Sequence, residues 1–276
     1  MKSSIVKIFL FLNPNRYVLV FLMGFFLSIS ILFKFNSDYN DSLFNGIGNY
    51  IKDESKKNNE SRERQIIRTL NIVHHELSNN SIMFLKHRIT GFKATHMRST
   101  ELELLDVSGG CGSFSLVLGR VFIAMNYPIR FVQMKVDGKF GGHILLEIWT
   151  NNNWIVLDPV FNQYFLKSDS TLASFDDVKN NFNYYKNQLA NNYPPSYRYE
   201  DARYTNWEKL PIIGPTFKKV LYFIYGEEKT NKLSVRKYFI RYYAFCGKIC
   251  TLVFIFTFGM SLLQFYIHSK SIKHAN

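Results

Sequence analysis

Residues 108–159 read SGGCGSFSLVLGRVFIAMNYPIRFVQMKVDGKFGGHILLEIWTNNNWIVLDP. Two hydrophobic periods succeed one another here. Phe114, Val117, Leu118, Val121, Phe122 and Met125 recur every three or four residues, which is one apolar stripe on a helix. Ser108-Gly109-Gly110 is a loop signal ahead of it. Asn126-Tyr127-Pro128 ends it, because proline disfavours helix in the residue before it. The period then changes to two. Residues 129–136 predict a strand, Asp137-Gly138 a turn, 143–149 a strand, Asn151-Asn152 a hairpin tip and 154–158 a third strand. A helix followed by an antiparallel sheet is an α+β arrangement.

Away from this stretch, two runs are uncharged and strongly apolar: 17–33, bounded by Arg16 and Lys34, and 249–267, bounded by Lys248 and by His268 and Lys270. Each approaches the roughly 20 residues that cross a bilayer. At the end of the first run, Ser30-Ile-Leu-Phe-Lys-Phe-Asn36 offers no small-x-small cleavage site, so the run reads as an uncleaved anchor rather than a signal peptide. The expected organisation is a basic tail (1–16), a transmembrane helix (17–34), a polar linker (35–60), one domain (61–215), a basic juxtamembrane segment (216–248), a second transmembrane helix (249–267) and a tail (268–276). Lys2, Lys7 and Arg16 favour a cytoplasmic N-terminus and an exported domain, whereas Lys232, Arg236, Lys237, Arg241 and Lys248 argue the other way. The first helix usually dominates, so export is expected.

Within the domain, Ile66, Leu70, Ile72, Val73 and Leu77 predict one or two helices over 61–87, with a break at 78–81. Residues 89–95 are ambiguous. Residues 170–189 are helical in pattern, with Ser174 as a cap ahead of Asp176 and Asp177. Residues 191–215 are irregular and aromatic-rich. The net charge of +13 comes without a nucleic-acid motif, so an anionic membrane surface is the expected partner and nucleic acid is not. Cys111, Cys246 and Cys250 are too few for a disulfide scaffold. Cys246 and Cys250 read as small apolar residues on a helix face. No Cys/His set has metal-ligand spacing. His74 and His75 are adjacent on a helical stretch and read as surface, and His87 and His96 stand alone.

Cys111 follows Gly110 at the mouth of the striped helix, where orphan N–H groups and the helix dipole favour a thiolate. Taken alone it would be a small core residue. Strand alternation puts His143, Leu145, Glu147 and Trp149 on one face, and Trp154, Val156 and Asp158 on one face. With the tip at Asn151-Asn152, Thr150 pairs with Asn153 and Leu145 falls opposite Asp158. His143 is then diagonal to Asp158, roughly 7–8 Å away, within side-chain reach. These three types belong together chemically. A thiolate attacks a carbonyl carbon, an imidazole moves the protons, and a carboxylate orients the imidazole.

Gly110-Cys111 opening a helix, the exit Asn126-Tyr-Pro-Ile-Arg130, Gly142-His143 and Trp154-Ile-Val-Leu-Asp158-Pro159 together resemble the motifs of the transglutaminase-like superfamily. The order Cys, His, Asp matches, with separations of 32 and 15 residues. The resemblance covers 105–159. It implies a papain-like core with the nucleophile helix on an antiparallel sheet, and Cys111, His143 and Asp158 as a catalytic triad. It also implies acyl transfer through a thioester, a protein or peptide substrate and no cofactor. Bacterial members suggest peptide or isopeptide hydrolysis in a bacterial cytoplasmic membrane. Glutamine–lysine crosslinking and a non-catalytic assembly module are the alternatives. Arylamine N-acetyltransferases share the three residue types but have an Arg-Gly-Gly lead and no membrane brackets. Asn126 departs from the family's glycine, a change that left-handed backbone tolerates. No tryptophan precedes Cys111, so the family's indole oxyanion donor has no counterpart. The Cys111 N–H is one donor, and the sequence identifies no second. Trp154 is expected beneath the site, Arg130 in the fold, and Tyr204, Asn206 and Trp207 either along an acceptor groove or in core and capping roles.

Overall fold

The computed structural model describes residues 16–80, 99–105, 110–209 and 213–275. Ser108, Gly109, His87, His96, Lys2, Lys7 and residues 89–95 lie outside the described residues. The chain divides into two units: the terminal segments up to Tyr39 and from Tyr242, and the intervening residues 40–241.

The terminal unit is built on helices α1 (Arg16–Lys57) and α10 (Tyr242–Ala275). Both are long and apolar enough to cross a membrane, and their most apolar stretches are only 6% and 11% buried. That exposure separates them from core helices. Inside this unit Ser30 and Thr251 hydrogen-bond through their hydroxyls at 2.6 Å, and Phe33 lies against Tyr243. Small hydroxyl residues allow this close approach of two helices.

In the other unit, α4 (Cys111–Ala124) leads into a four-stranded antiparallel sheet ordered β3-β2-β1-β4. The strands are β1 (Ile129–Val136), β2 (Lys139–Thr150), β3 (Asn153–Leu157) and the two-residue β4 (Ala202–Arg203). Helix α4 ends as its sequence dictates. Asn126 takes φ +67°, the Asn126 N–H bonds to the Ile123 carbonyl, and the Tyr127 N–H bonds to the Phe122 carbonyl. The Phe122 and Tyr127 rings meet edge to face at 5.4 Å. This is a Schellman end with its hydrophobic contact, and asparagine fills the left-handed position.

Both expected turns form. Asp137-Gly138 and Asn151-Asn152 all have positive φ, as a two-residue hairpin requires. The β2–β3 register is the expected one, from Thr150–Asn153 to Leu146–Leu157. Between β1 and β2 the register slips: Met134 faces His143 while Lys135 faces Phe140. Gly141 and Gly142 are the two extra residues. A Cβ on Gly142 would meet Val136 Cβ at 2.7 Å, so the bulge needs glycine there. Two extra residues keep the face parity of β2 and bend the strand just before His143.

The sheet is covered on both faces. One face (Ile129, Phe131, Leu146, Ile148, Ile155, Leu157) packs on Val117, Leu118, Val121 and Phe122 of α4. Ile66, Leu70, Val73 and Leu77 of α2 (Arg62–Asn80) back this layer. The other face (Val132, Met134, Leu145, Val156) packs on Phe165, Phe175, Tyr185, Tyr193, Tyr199 and Tyr204. These come from short helices α5 (Phe175–Asn180) and α6 (Phe182–Tyr185) and from loops. Ser174 caps α5 in a reciprocal capping box with Asp177. The remaining helices are α3 (Thr100–Leu105), α7 (Ile213–Tyr225), α8 (Glu227–Asn231) and α9 (Arg236–Phe239).

Three expectations are corrected. Residues 35–57 of the expected linker are helical, because Phe44 and Ile51 supply apolar anchors that bury completely in the core. Helix α2 continues through Ser78 and Asn79, past the start of the expected break. The juxtamembrane segment contributes to the 40–241 unit: Thr230, Ser234 and Ile240 are buried, and the Ser234 hydroxyl accepts the Phe131 N–H.

Candidate active site

Gly110 starts the site. Its φ of +53° is a backbone state that side chains disfavour, and it turns the chain into α4 so that Cys111 is the first helical residue. No side chain caps this end. The Gly110 carbonyl accepts the N–H groups of Ser113 and Phe114. The N–H groups of Cys111 and Gly112 belong to the unpaired first turn of the helix.

His143 and Asp158 converge as the hairpin register predicts. His143 Nε2 donates to Asp158 Oδ2 at 2.7 Å, and both side chains are almost fully buried. This bond uses Nε2, so Nδ1 is the ring nitrogen left to serve the thiol. The β2–β3 ladder ends at Leu146, and the Ile144 N–H beyond it donates to the Cys111 sulfur. The Ser115 hydroxyl donates to the Ile144 carbonyl at 2.9 Å and so ties α4 to the same residue of β2.

The electrostatics are those of a poised pair. Burial works against the charged form of His143. The hydrogen bonds to Asp158 and Cys111 and the charges of both outweigh it and push His143 up to about 9. Burial would raise the Cys111 thiol, but the His143 hydrogen bond and charge, with the Ile144 N–H, hold it below its ordinary value. The lowered thiol and the raised imidazole both favour the thiolate–imidazolium form of the pair.

Several residues around Cys111, His143 and Asp158 were not singled out in the sequence. Tyr193 donates its hydroxyl to Asp158 Oδ2 at 2.8 Å and is itself 2.8 Å from the Tyr199 hydroxyl. The Val160 N–H donates to Asp158 Oδ1. Asp158 thus accepts from an imidazole, a phenol and an amide, which fixes both oxygens. Burial, with the neighbouring Tyr199 and Asp158, pushes the Tyr193 phenol far up, so it stays a donor. Tyr199 is fully buried at φ +55°, a state that costs a bulky residue of order 1–3 kcal/mol. The Tyr197 ring stacks on the imidazole with centroids 4.4 Å apart, and Phe161 flanks it at 5.9 Å. His74, expected as surface, bonds through Nδ1 to the Pro159 carbonyl at 2.9 Å, while His75 is exposed. The cue for the tyrosines was the aromatic density of 193–199, but it has no helix or strand period from which contacts could be read.

Other singled-out residues lie elsewhere. Arg130 pairs with buried Glu147 and is sandwiched between Trp154 and Tyr204 at 4.1 and 4.4 Å. Trp154 therefore supports this ion pair and Trp149, not Cys111, His143 or Asp158. Asn206 Oδ1 accepts the Glu208 N–H, and Trp207 packs on Phe217, so both take capping and packing roles. Among the described residues no cluster of His, Cys, Asp and Glu fits a metal ion. No protein-family model matches this chain, and no curated protein or solved structure matches it either.

Proposed function

We propose that this chain is a membrane-tethered cysteine enzyme of transglutaminase-like type that hydrolyses a peptide or isopeptide bond through a thioester. The observation that carries this reading is the buried His143–Asp158 hydrogen bond, which leaves the other imidazole nitrogen to the Cys111 thiol at a helix N-terminus. The thiolate attacks the amide carbon, and the Cys111 N–H receives the developing oxyanion. His143 gives its proton to the leaving nitrogen as the C–N bond breaks, and a thioester remains. His143 then takes a proton from water, whose oxygen attacks the thioester. Collapse releases a carboxylic acid and restores the thiolate–imidazolium pair. Asp158 orients the ring and stabilises its charged form throughout.

Two membrane-spanning helices would hold the domain at the bilayer, with the catalytic unit on the exported side. The basic residues ahead of the second helix oppose export less than their number suggests. Lys232 pairs with Asp176 and Glu228, Arg241 with Asp41, and Arg236 lies on Phe131. Charges engaged within a folded unit weigh less in the positive-inside balance.

The test is site-resolved alkylation of the full chain with iodoacetamide across pH, comparing wild type, His143→Ala and Cys111→Ala. The expected result is fast labelling of Cys111 below pH ~7 that His143→Ala removes. Labelling of Cys111 only near pH ~8.5, as for a free thiol, refutes the enzyme reading.

A further inference from the structure

Arg236 belongs by sequence to a basic run ahead of an apolar helix, yet its side chain turns into the domain beside the nucleophile. The segment that carries it is laced down. The Ser234 hydroxyl accepts the Phe131 N–H, the Val235 N–H donates to Thr205, and the Ile240 carbonyl accepts the Thr100 hydroxyl. The guanidinium lies over the Phe131 ring at 5.3 Å. Its Nη2 is 3.5 Å from the place a Cβ would occupy on Gly112, the residue after Cys111. Cys111 and Glu103 are the charges acting on it, and among the described residues no carboxylate stands within ion-pair distance.

A permanently charged, half-buried guanidinium needs a reason to be there. The thiol does not supply it, since His143 already gives the sulfur both a hydrogen bond and a positive charge. Because Gly112 has no side chain, no atom beyond its backbone comes between Nη2 and the residue that follows Cys111. A planar fork of N–H donors placed there suits a carboxylate.

We propose that Arg236 binds a carboxylate of the substrate next to the scissile amide. The substrate class is therefore amides or isopeptides that carry a free carboxylate close to the bond attacked. This rests on the thioester reading above and adds a specificity determinant to it.

The experiment compares anionic iodoacetate with neutral iodoacetamide as alkylating agents for Cys111 in the full chain at pH 7, with rates read at that peptide by mass spectrometry. The expected wild-type ratio of iodoacetate to iodoacetamide rates exceeds that of free cysteine and falls about tenfold in Arg236→Gln. Arg236→Lys retains part of the preference, having the charge without the fork. Gly112→Ala provides a variant expected to fold, since its Cβ makes only ordinary contacts and alanine favours helix. Its methyl group stands against Nη2 and should lower the ratio too. A wild-type ratio no higher than that of free cysteine overturns the proposal. So does a preference that survives in both Arg236→Gln and Gly112→Ala, which would assign it to the His143 imidazolium. Low-pH iodoacetamide labelling without an anion preference removes this proposal alone. Absence of that labelling removes the thioester reading as well.

Discussion

The two faces of the sheet are covered by different physics. On one face, α4 lays a regular apolar stripe on Ile129, Phe131, Leu146 and Ile148, and the contact is almost wholly apolar. On the other, Phe161, Tyr193, Tyr197 and Tyr199 form an irregular layer that holds polar atoms as well as burying area. The first face uses burial, which is non-directional and tolerates exchange among similar volumes. The second depends on hydrogen bonds that only one arrangement satisfies. His143 and Asp158 sit under the second layer, and Cys111 comes from the end of the helix that builds the first. Stability and site chemistry should therefore separate under mutation.

The strongest test of that separation is Phe122→Ala. It should cost about 3–5 kcal/mol through lost burial and a cavity, read by denaturation in detergent. The pH profile of Cys111 alkylation, measured well below the melting temperature, should keep its low-pH limb. Loss of that limb would break the distinction between the faces.

Asp158→Asn acts next. It removes the charge that accepts from His143, Tyr193 and Val160, and should cost about 1.5–3 kcal/mol. It should also move Cys111 reactivity towards that of a free thiol. The wild-type pH dependence has a definite sign. His143 is raised from 6.5 to about 9. Its favourable protonation contributes fully below pH 6.5 and is lost as pH rises through about 9. Cys111 runs the opposite way: its lowered value stabilises the fold above its ordinary 9.0 and is lost as pH falls through the folded value. The gap between the stability curves of wild type and Asp158→Asn should therefore narrow as pH rises through about 9, leaving the part due to Tyr193 and Val160. Parallel curves would mean that the pair is not linked to Asp158.

Tyr193→Phe sharpens the contrast from the other side. It should cost only about 1 kcal/mol, one hydrogen bond, while raising the apparent pKa of Cys111 alkylation. A large stability loss with no change in the alkylation profile would make the aromatic layer a plain core. The smallest expected effect on the site is that of Ser174→Ala. It should cost about 1 kcal/mol by removing the α5 cap, and leave alkylation unchanged.

The hairpin that joins His143 to Asp158 was legible because strand alternation and an Asn-Asn tip fix register by local rules. The same held for α4, whose stripe, glycine entry and left-handed Asn126 are all written locally. The β1–β2 slip was not read from the sequence: Gly141-Gly142 takes it up, and which residues of β1 it faces depends on Val136 packing. The helical span at 35–57 was hidden by its polar composition, since its two anchors, Phe44 and Ile51, lie seven residues apart.

By itself the sequence determined an α+β order of elements, two long apolar helices and a Cys, His, Asp series whose register brings the last two together. Only the tertiary structure decided that Tyr193 and Tyr197 hold and cover the pair, that Arg130 and Trp154 serve a separate buried ion pair, and that Arg236 turns to Gly112. The division follows from how each is encoded. Helix and strand periods are repeated in neighbouring residues and can be read from them. A tyrosine 35 residues from its carboxylate partner is positioned by loops whose backbone repeats nothing.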